Sequence, residues 1–484
     1  MIDPFFFVCL FAAVPVLVTT LPPMVDLPQH AAQIALLQDI LSGSTPFASL
    51  FEVQLFTPYW FGYSLLFVLA KPFGVALAAK TLVVLTTVAF VACAARFTAR
   101  AGAPSFWRWL FVPLPFGFAY EWGFLNFLVA VPLGFAFLAE LDLRPGPRSR
   151  REILVLVAWA HALFFAHVLV MAYFLAVAAL RLHVPNVRAW LRRVAPLAGV
   201  APVVALWVVG KRAAAGEVRV PPAWAWGWGR LEALPSTLFS LPLGDAYYAI
   251  ALVLVVLPVL AGYRVRRSVA ALGPFALHLA VMLFAPRIAF GTSFVYQRFG
   301  YVGLPLLALA FEEDPCARRG AMARRLLSPV YALVAAALLS FHVRRALAYE
   351  AESAPFREVI AMAKPGKRML GLPFLRGGVG YQAPTYVHYA TWYSSLRGGL
   401  AEFSFATFFP QVVRYRAGLR PLATDVVNWS PELFRWSAWK GEGYTYFLVR
   451  QAHDPQAELF PAGAVRLVGA RGGWWLFEVN EVTP

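Results

Sequence analysis

Three kinds of side chain stand where they could do chemistry in this sequence. The first kind is the carboxylate: Asp26, in "MVDLPQH" just after an apolar run, and Glu121, in "FAYEWGFLNF" between two apolar runs. A carboxylate at such a boundary can take a proton from an attacking hydroxyl or amine. Asp26 also reads as a helix N-cap, because Gln29 follows three residues later. Glu121 is flanked by Tyr120 and Trp122, where a charge is costly unless it is solvated or partnered. Its other reading is an exposed turn residue beside an aromatic belt. Three cations, Arg298, Arg287 and Lys71, lie at the ends of apolar runs and could hold a phosphate. Interfacial cations also reach headgroup phosphates with no further role. The third kind is histidine, at 30, 161 and 167. A spacing of six between His161 and His167 is wrong for two ligands on one helix face, so no metal is assigned and no divalent cation is indicated.

These residues sit in a chain whose composition dictates its solvent. Of 484 residues, 60% are hydrophobic, 15% aromatic and only 14% charged, with mean hydropathy +0.64. That balance leaves too little polar surface for a soluble domain and predicts a polytopic α-helical membrane protein. The net charge of +17 sits mostly between apolar runs, as in cytoplasmic loops, which excludes nucleic acid as the expected partner. Cys9, Cys93 and Cys316 are scattered and form no disulfide framework.

Apolar runs predict eleven spans, near 5–22, 76–97, 106–119, 122–140, 153–165, 166–182, 194–211, 246–263, 268–285, 300–313 and 326–343. Residues 5–21 are read as a retained first span rather than a signal peptide, since no basic residue precedes them. With this list five arginine clusters fall on one side: Arg96/Arg100/Arg108, Arg144/Arg148/Arg150/Arg151, Arg181/Arg188/Arg192/Arg193, Arg264/Arg266/Arg267 and Arg318/Arg319/Arg324/Arg325. That side is cytoplasmic, with the N-terminus. The loop 23–75 holding Asp26, residues 213–245 and 286–299, and everything after about 346 are then outside. Residues 59–74, interrupted by Lys71, Pro72 and Gly74, are expected to lie along the outer interface with Tyr59 and Trp60 at headgroup level. Residues 153–182 are too long for one untilted span, and His161 and His167 suggest two helices meeting at a turn.

The tail, 347–484, is mixed in composition and has no run long enough to span. "FREVIAMAKPGKRMLGLPF" reads as a helix leading into a strand; "YTYFLVRQ" and "AVRLVGARGGWWLFEV", turning at Gly472–Gly473, read as further strands. A small α/β domain on the outer face is expected there, beside a transmembrane domain of residues 1–346.

In this order the residues resemble the polyprenyl-phosphate-dependent glycosyltransferases of the GT-C fold, the group that holds protein O-mannosyltransferases and lipid A aminoarabinose transferases. Asp26 opens the first outer loop, followed by "HAAQIALLQDILSG", the segment Pro58-Tyr59-Trp60 and the turn Phe73-Gly74. "YQRFGYVGLPLLALAF" at 296–311 is similar to the family's entry to a late span. The departures are a lone "VDLP" in place of an acidic pair, and Thr57 where the family has Lys. The resemblance implies a sugar moved from a polyprenyl-phosphate donor to a protein, lipid or glycan acceptor, at the periplasmic face of a bacterial inner membrane. It casts Asp26 as general base, Glu121 as the second acidic residue, and Arg298, then Arg287 and Lys71, as donor-phosphate ligands. His30, His161, His167, Tyr59, Trp60 and Tyr301 would contact substrate. Trp224, Trp226 and Trp228 could stack on sugar but read first as headgroup anchors. His388, Trp392 and Arg397 in the tail could face the same cavity from above. The readings from other classes are a transporter or flippase of lipid-linked saccharides, an O-antigen polymerase or ligase, and a non-catalytic subunit of a glycan-assembly complex. The first would place its charges at mid-membrane rather than at the outer boundary.

Overall fold

Residues 75–100 contain neither proline nor glycine, and they form an unbroken helix of 26 residues, Val75–Arg100 (α4). In a computed structural model that describes residues 4–141, 143, 149–213, 221–241, 245–315, 321–419, 422, 425–439 and 443–480, two other helices are, like it, long and apolar enough to cross a membrane. They are Val187–Ala213 (α9) and Ala321–Ala361 (α12). Five shorter apolar helices accompany them: Phe5–Leu17 (α1), Trp60–Phe73 (α3), Leu125–Glu140 (α6), Val168–Arg181 (α8) and Val269–Phe284 (α11). The remaining helices used below are Leu27–Ser42 (α2), Phe118–Trp122 (α5), Arg150–Ala166 (α7), Asp245–Leu260 (α10) and Trp392–Arg397 (α13).

The expected eleven spans are therefore corrected. Among the described residues only those three helices are long and apolar enough to cross a membrane, and two of the other runs are not single helices at all. Residues 106–119 form the tight turns Ser105–Phe111 and Leu114–Phe116, because Pro104, Pro113, Pro115 and Gly117 interrupt the hydrogen-bond ladder. Residues 300–313 divide into a turn, Gln297–Val302, a six-residue helix, Gly303–Ala308, and a strand, Phe311–Glu313 (β5). That strand pairs antiparallel with Tyr263–Val265 (β2). Both runs are apolar because they are packed inside the protein, and hydropathy cannot tell that from contact with lipid. The run 153–182 does break into two helices, α7 and α8, at His167, whose backbone is extended (φ −172°, ψ 119°). Arg144, Arg148, Arg318, Arg319 and Cys316 lie outside the described residues.

At 1.5 Å per residue the 41-residue α12 is about 60 Å long, twice the hydrocarbon thickness. Its first half is apolar and its second half carries Arg345, Glu350, Glu352 and Arg357. It passes residue 346 unbroken and packs on the C-terminal sheet. That mixed sheet has the order β10-β11-β9-β6-β7, from Val465–Arg471 (β10), Trp474–Val479 (β11), Tyr446–Arg450 (β9), Arg368–Pro373 (β6) and Leu400–Glu402 (β7). β10, β11 and β9 are antiparallel neighbours, and β6 is parallel to both β9 and β7. Gly472 and Gly473, at φ 54° and 77°, make the two-residue turn between β10 and β11.

Chain segments far apart in sequence close the molecule. The strand Phe51–Val53 (β1), from the first long loop, pairs antiparallel with Val413–Tyr415 (β8) in the tail. Helix α2 packs on α13. Thr20, at the loop's start, donates its backbone N–H and hydroxyl to Glu350 on α12 at 2.7 Å each, and Arg357 donates to the Thr20 hydroxyl at 2.9 Å.

Candidate functional site

Asp26 stands immediately before α2, but its backbone is itself near-helical (φ −91°, ψ −8°) rather than extended, and its side chain makes no capping hydrogen bond. Pro28, at the second helical position, also has no N–H to offer such a cap. Gln29 is also diverted. Its amide donates to the Thr391 hydroxyl at 3.0 Å and the Phe403 carbonyl at 2.7 Å, and its oxygen accepts from the Phe405 N–H at 2.9 Å. One turn on, Gln33 accepts from the Val413 N–H at 2.9 Å. Helix α2 thus uses two buried amides to clip the tail over the loop.

The backbone of Asp26 is held from another side. Its N–H donates to the Trp122 carbonyl at 3.0 Å, and that of Val25 donates to the Glu121 carbonyl at 2.9 Å. These carbonyls end α5, which stops at Gly123 with φ 74°. A Cβ at Gly123 would lie 2.8 Å from the Asp26 nitrogen, so the close approach needs glycine twice over.

The Asp26 carboxylate faces a cavity of about 400 Å³. His30, Tyr59 and His167 line it from the first loop and the α7–α8 break; Trp122, Phe124, Asn126 and Phe127 come from the α5–α6 turn. Arg298 lines it with the hairpin Ile288–Ala289 (β3) to Thr292–Ser293 (β4), whose turn residues Phe290 and Gly291 have φ 55° and 70°. Lys211, at the end of α9, donates to the Phe290 carbonyl at 2.8 Å. The tail supplies the roof: His388, Phe403, Phe405, Phe408, Gln411 and Trp429.

Burial dominates the electrostatics. Asp26 is only 14% exposed, and desolvation lifts its carboxyl from 3.8 to about 7, against the opposing pull of Arg298. The His388 Nε2 stands 3.7 Å from Asp26 Oδ1. Desolvation pushes the His388 imidazole down to about 3, so it stays neutral beside the carboxylate. His30 is pushed to about 3 by the same cause, then by Arg298, and its Nδ1 pairs with the Tyr63 hydroxyl at 2.8 Å. Arg298 stacks on Phe124 at 3.7 Å and donates to the Ser293 carbonyl at 2.8 and 3.2 Å. Burial brings its guanidinium down to about 10, and it forms no ion pair with a carboxylate among the described residues.

Of the residues singled out from sequence, Asp26, Arg298, His30, His167, Tyr59 and His388 converge on this cavity. Glu121 does not line it. Its carboxylate pairs with Arg345 of α12 at 2.6 Å, the two side chains 3% and 4% exposed, and accepts the N–H groups of Gln382 and Ala383 at 3.2 Å. Arg287 is exposed and lies over Phe294, and Lys71 is exposed over Phe67. His161 Nδ1 meets the Val157 carbonyl of its own helix at 2.8 Å. Trp60 is exposed, and Tyr301 is buried against the small apolar void beside Phe90. Trp224, Trp226 and Trp228 are exposed, the first two stacked in parallel. Trp392 is buried, and Arg397 bonds the Ala363 carbonyl.

Lys211, Asn126, Gln411 and Trp429 were not singled out from sequence. Only the dense aromatic run "FSFATFF" hinted that 403–409 would be buried. Among the described residues no group of three His, Cys, Asp or Glu could hold a metal ion. No protein-family model matches the chain, nor does any curated protein or solved structure.

Proposed function

We propose that this chain is a membrane glycosyltransferase that moves a sugar from a polyprenyl-phosphate donor to an acceptor at the outer, periplasmic face of a bacterial inner membrane. One observation carries the reading: a carboxylate with its proton affinity lifted to about 7 shares a cavity with a guanidinium that has no carboxylate partner among the described residues. Glycosyl transfer from a lipid phosphate asks for these two groups. The acceptor hydroxyl or amine gives its proton to an Asp26 oxygen as its heteroatom bonds to the anomeric carbon. The bond from that carbon to the phosphate oxygen breaks, its electron pair leaves with the phosphate, and Arg298 holds the charge. A pKa near the working pH is what general base catalysis favours. The long apolar helices and the arginine-rich connectors support a membrane setting.

Purified protein in nanodiscs, mixed with a panel of polyprenyl-phosphate sugars, tests the reading by mass spectrometry. The expected result is release of polyprenyl phosphate from at least one donor, with Arg298→Gln weakening donor binding at least about tenfold, one charge-assisted contact's worth. Movement of intact lipid-linked saccharide across the bilayer, with no cleavage of any donor, would instead make the chain a transporter.

A further inference from the structure

The glycosyl-transfer reading gives the donor's phosphate to Arg298, yet that guanidinium is partly committed. Its Nε and Nη2 both donate to the Ser293 carbonyl, at 3.2 and 2.8 Å, which leaves only part of its N–H fork for a ligand. A lipid phosphate presents several acceptor oxygens and is held best by more than one donor. The break between α7 and α8 supplies a second one.

His167 stands at that break, and its side chain caps α8: Nδ1 accepts from the Leu169 N–H at 3.2 Å. A backbone amide can only donate, so Nδ1 carries no proton and the neutral imidazole keeps its one proton on Nε2. Were the helix continuous through His167, the Leu169 N–H would go to the Phe165 carbonyl and nothing would hold the ring in this tautomer. The ring itself is wedged in place. Tyr59 packs against it with centroids 5.1 Å apart, and Phe127 meets it edge-on at 5.4 Å and 90°.

His167 lines the cavity, although only 2% of its surface is exposed. Its Nε2 has no hydrogen-bond partner among the described residues. Unlike Nδ1 of His388 and both nitrogens of His342, it is not sealed inside the protein, so it opens on the cavity. The Tyr59 ring that packs on His167 also lies within electrostatic reach of Arg298. Two groups that can only donate, His167 Nε2–H and the Arg298 guanidinium, therefore face the same space.

Resting on the glycosyl-transfer reading, we infer that His167 is a second ligand of the donor's phosphate, its Nε2–H donating to a non-bridging oxygen that Arg298 does not take. The α7–α8 break is then part of the donor site, because it fixes which nitrogen of the ring faces the lipid.

Two substitutions divide the two bonds of the imidazole. His167→Asn keeps a capping oxygen for the Leu169 N–H but is too short to reach into the cavity; His167→Gln keeps an N–H near the depth of Nε2 and gives up the cap. The dissociation constant for bare polyprenyl phosphate in nanodiscs should weaken about tenfold in His167→Asn, one charge-assisted hydrogen bond's worth, with thermal unfolding unchanged. His167→Gln should bind within about threefold of wild type and unfold at a lower temperature. In wild type carrying isotope-labelled histidine, the Nε2–H resonance that is missing from His167→Gln should move downfield when bare polyprenyl phosphate is added; this readout decides if His167→Asn does not fold, and no movement overturns the proposal. Unchanged bare-lipid affinity in His167→Asn, with Arg298→Gln still weakened, overturns the second ligand and leaves the glycosyltransferase reading standing. Weakening confined to glycosylated lipids would put the contact on the sugar and overturns it as well. So does an equal loss of affinity in both variants that tracks a loss of thermal stability, since His167 would then be structural. Wild type that binds no polyprenyl phosphate, bare or glycosylated, overturns both the ligand and the glycosyltransferase reading.

Discussion

Removing the charge of Glu121 should destabilise the protein strongly, although the residue lies outside the cavity. Its carboxylate and the Arg345 guanidinium meet at 2.6 Å with both side chains almost fully buried. Arg345 also donates to the carbonyls of Phe116 at 3.2 Å and Ser240 at 3.4 Å, and lies over Tyr381 at 4.4 Å. Glu121→Gln keeps the shape but strands a guanidinium in the interior, and breaking one side of such a pair costs about 3–5 kcal/mol. Arg345→Met strands the carboxylate, which keeps the two backbone donors of Gln382 and Ala383, so its cost should fall at the lower end. Replacing both partners removes the stranded charge, and the double variant should be at least about 2 kcal/mol more stable than the sum of the singles predicts. Equilibrium unfolding of the four proteins in mixed micelles gives this cycle. Single variants within about 1 kcal/mol of wild type, with additive effects, would refute the reasoning. Since the carbonyls of Glu121 and Trp122 hold Val25 and Asp26, Glu121→Gln should also slow turnover more than it weakens donor binding.

Two further outcomes follow from the same geometry. The Asp26 carboxyl is raised from 3.8 to about 7 in the folded protein, so the fold binds its proton more tightly than the unfolded chain and loses stability as pH rises between those values. The shift corresponds to about 4 kcal/mol, fully present above pH 7, and Asp26→Asn should gain stability over wild type at pH 8 but not at pH 3. Equal differences at both pH values would contradict the burial of the carboxylate; in turnover, the same group should give an acid limb near pH 7. Gly123→Ala meets a positive φ and the Asp26 nitrogen at 2.8 Å, whereas Gly43→Ala meets a similar φ with nothing within 4 Å. The second should cost about 1 kcal/mol and leave turnover intact, and the first should cost more and lower turnover at least about tenfold.

What the sequence showed and what it hid divide along physical lines. The break at His167 was legible because thirty apolar residues are too many for one span. The hairpin at Gly472–Gly473 was legible because two glycines between alternating apolar residues have few other uses. The spans placed at 106–119 and 300–313 were not sound, since a buried turn and a lipid-facing helix share the same hydropathy; the prolines and glycines inside them were the better guide. Asp26 and Arg298 were readable as boundary charges, but their convergence depends on tertiary packing. Glu121 was rightly seen as a charge in need of a partner, and the partner lay 224 residues away on α12. His388, Gln411 and Trp429 reach the cavity through the β1–β8 pairing and the Gln29 clip, contacts that no local periodicity encodes.

The most direct test of the account compares wild type with Asp26→Asn for donor binding and donor turnover, read separately by mass spectrometry on the polyprenyl-phosphate sugar that wild type cleaves. The account predicts that the variant binds donor as tightly as wild type and turns it over about 10²–10⁴-fold more slowly, the range lost with a general base. Equal turnover by the two proteins would contradict it, leaving Asp26 a buried carboxylate with no part in the chemistry.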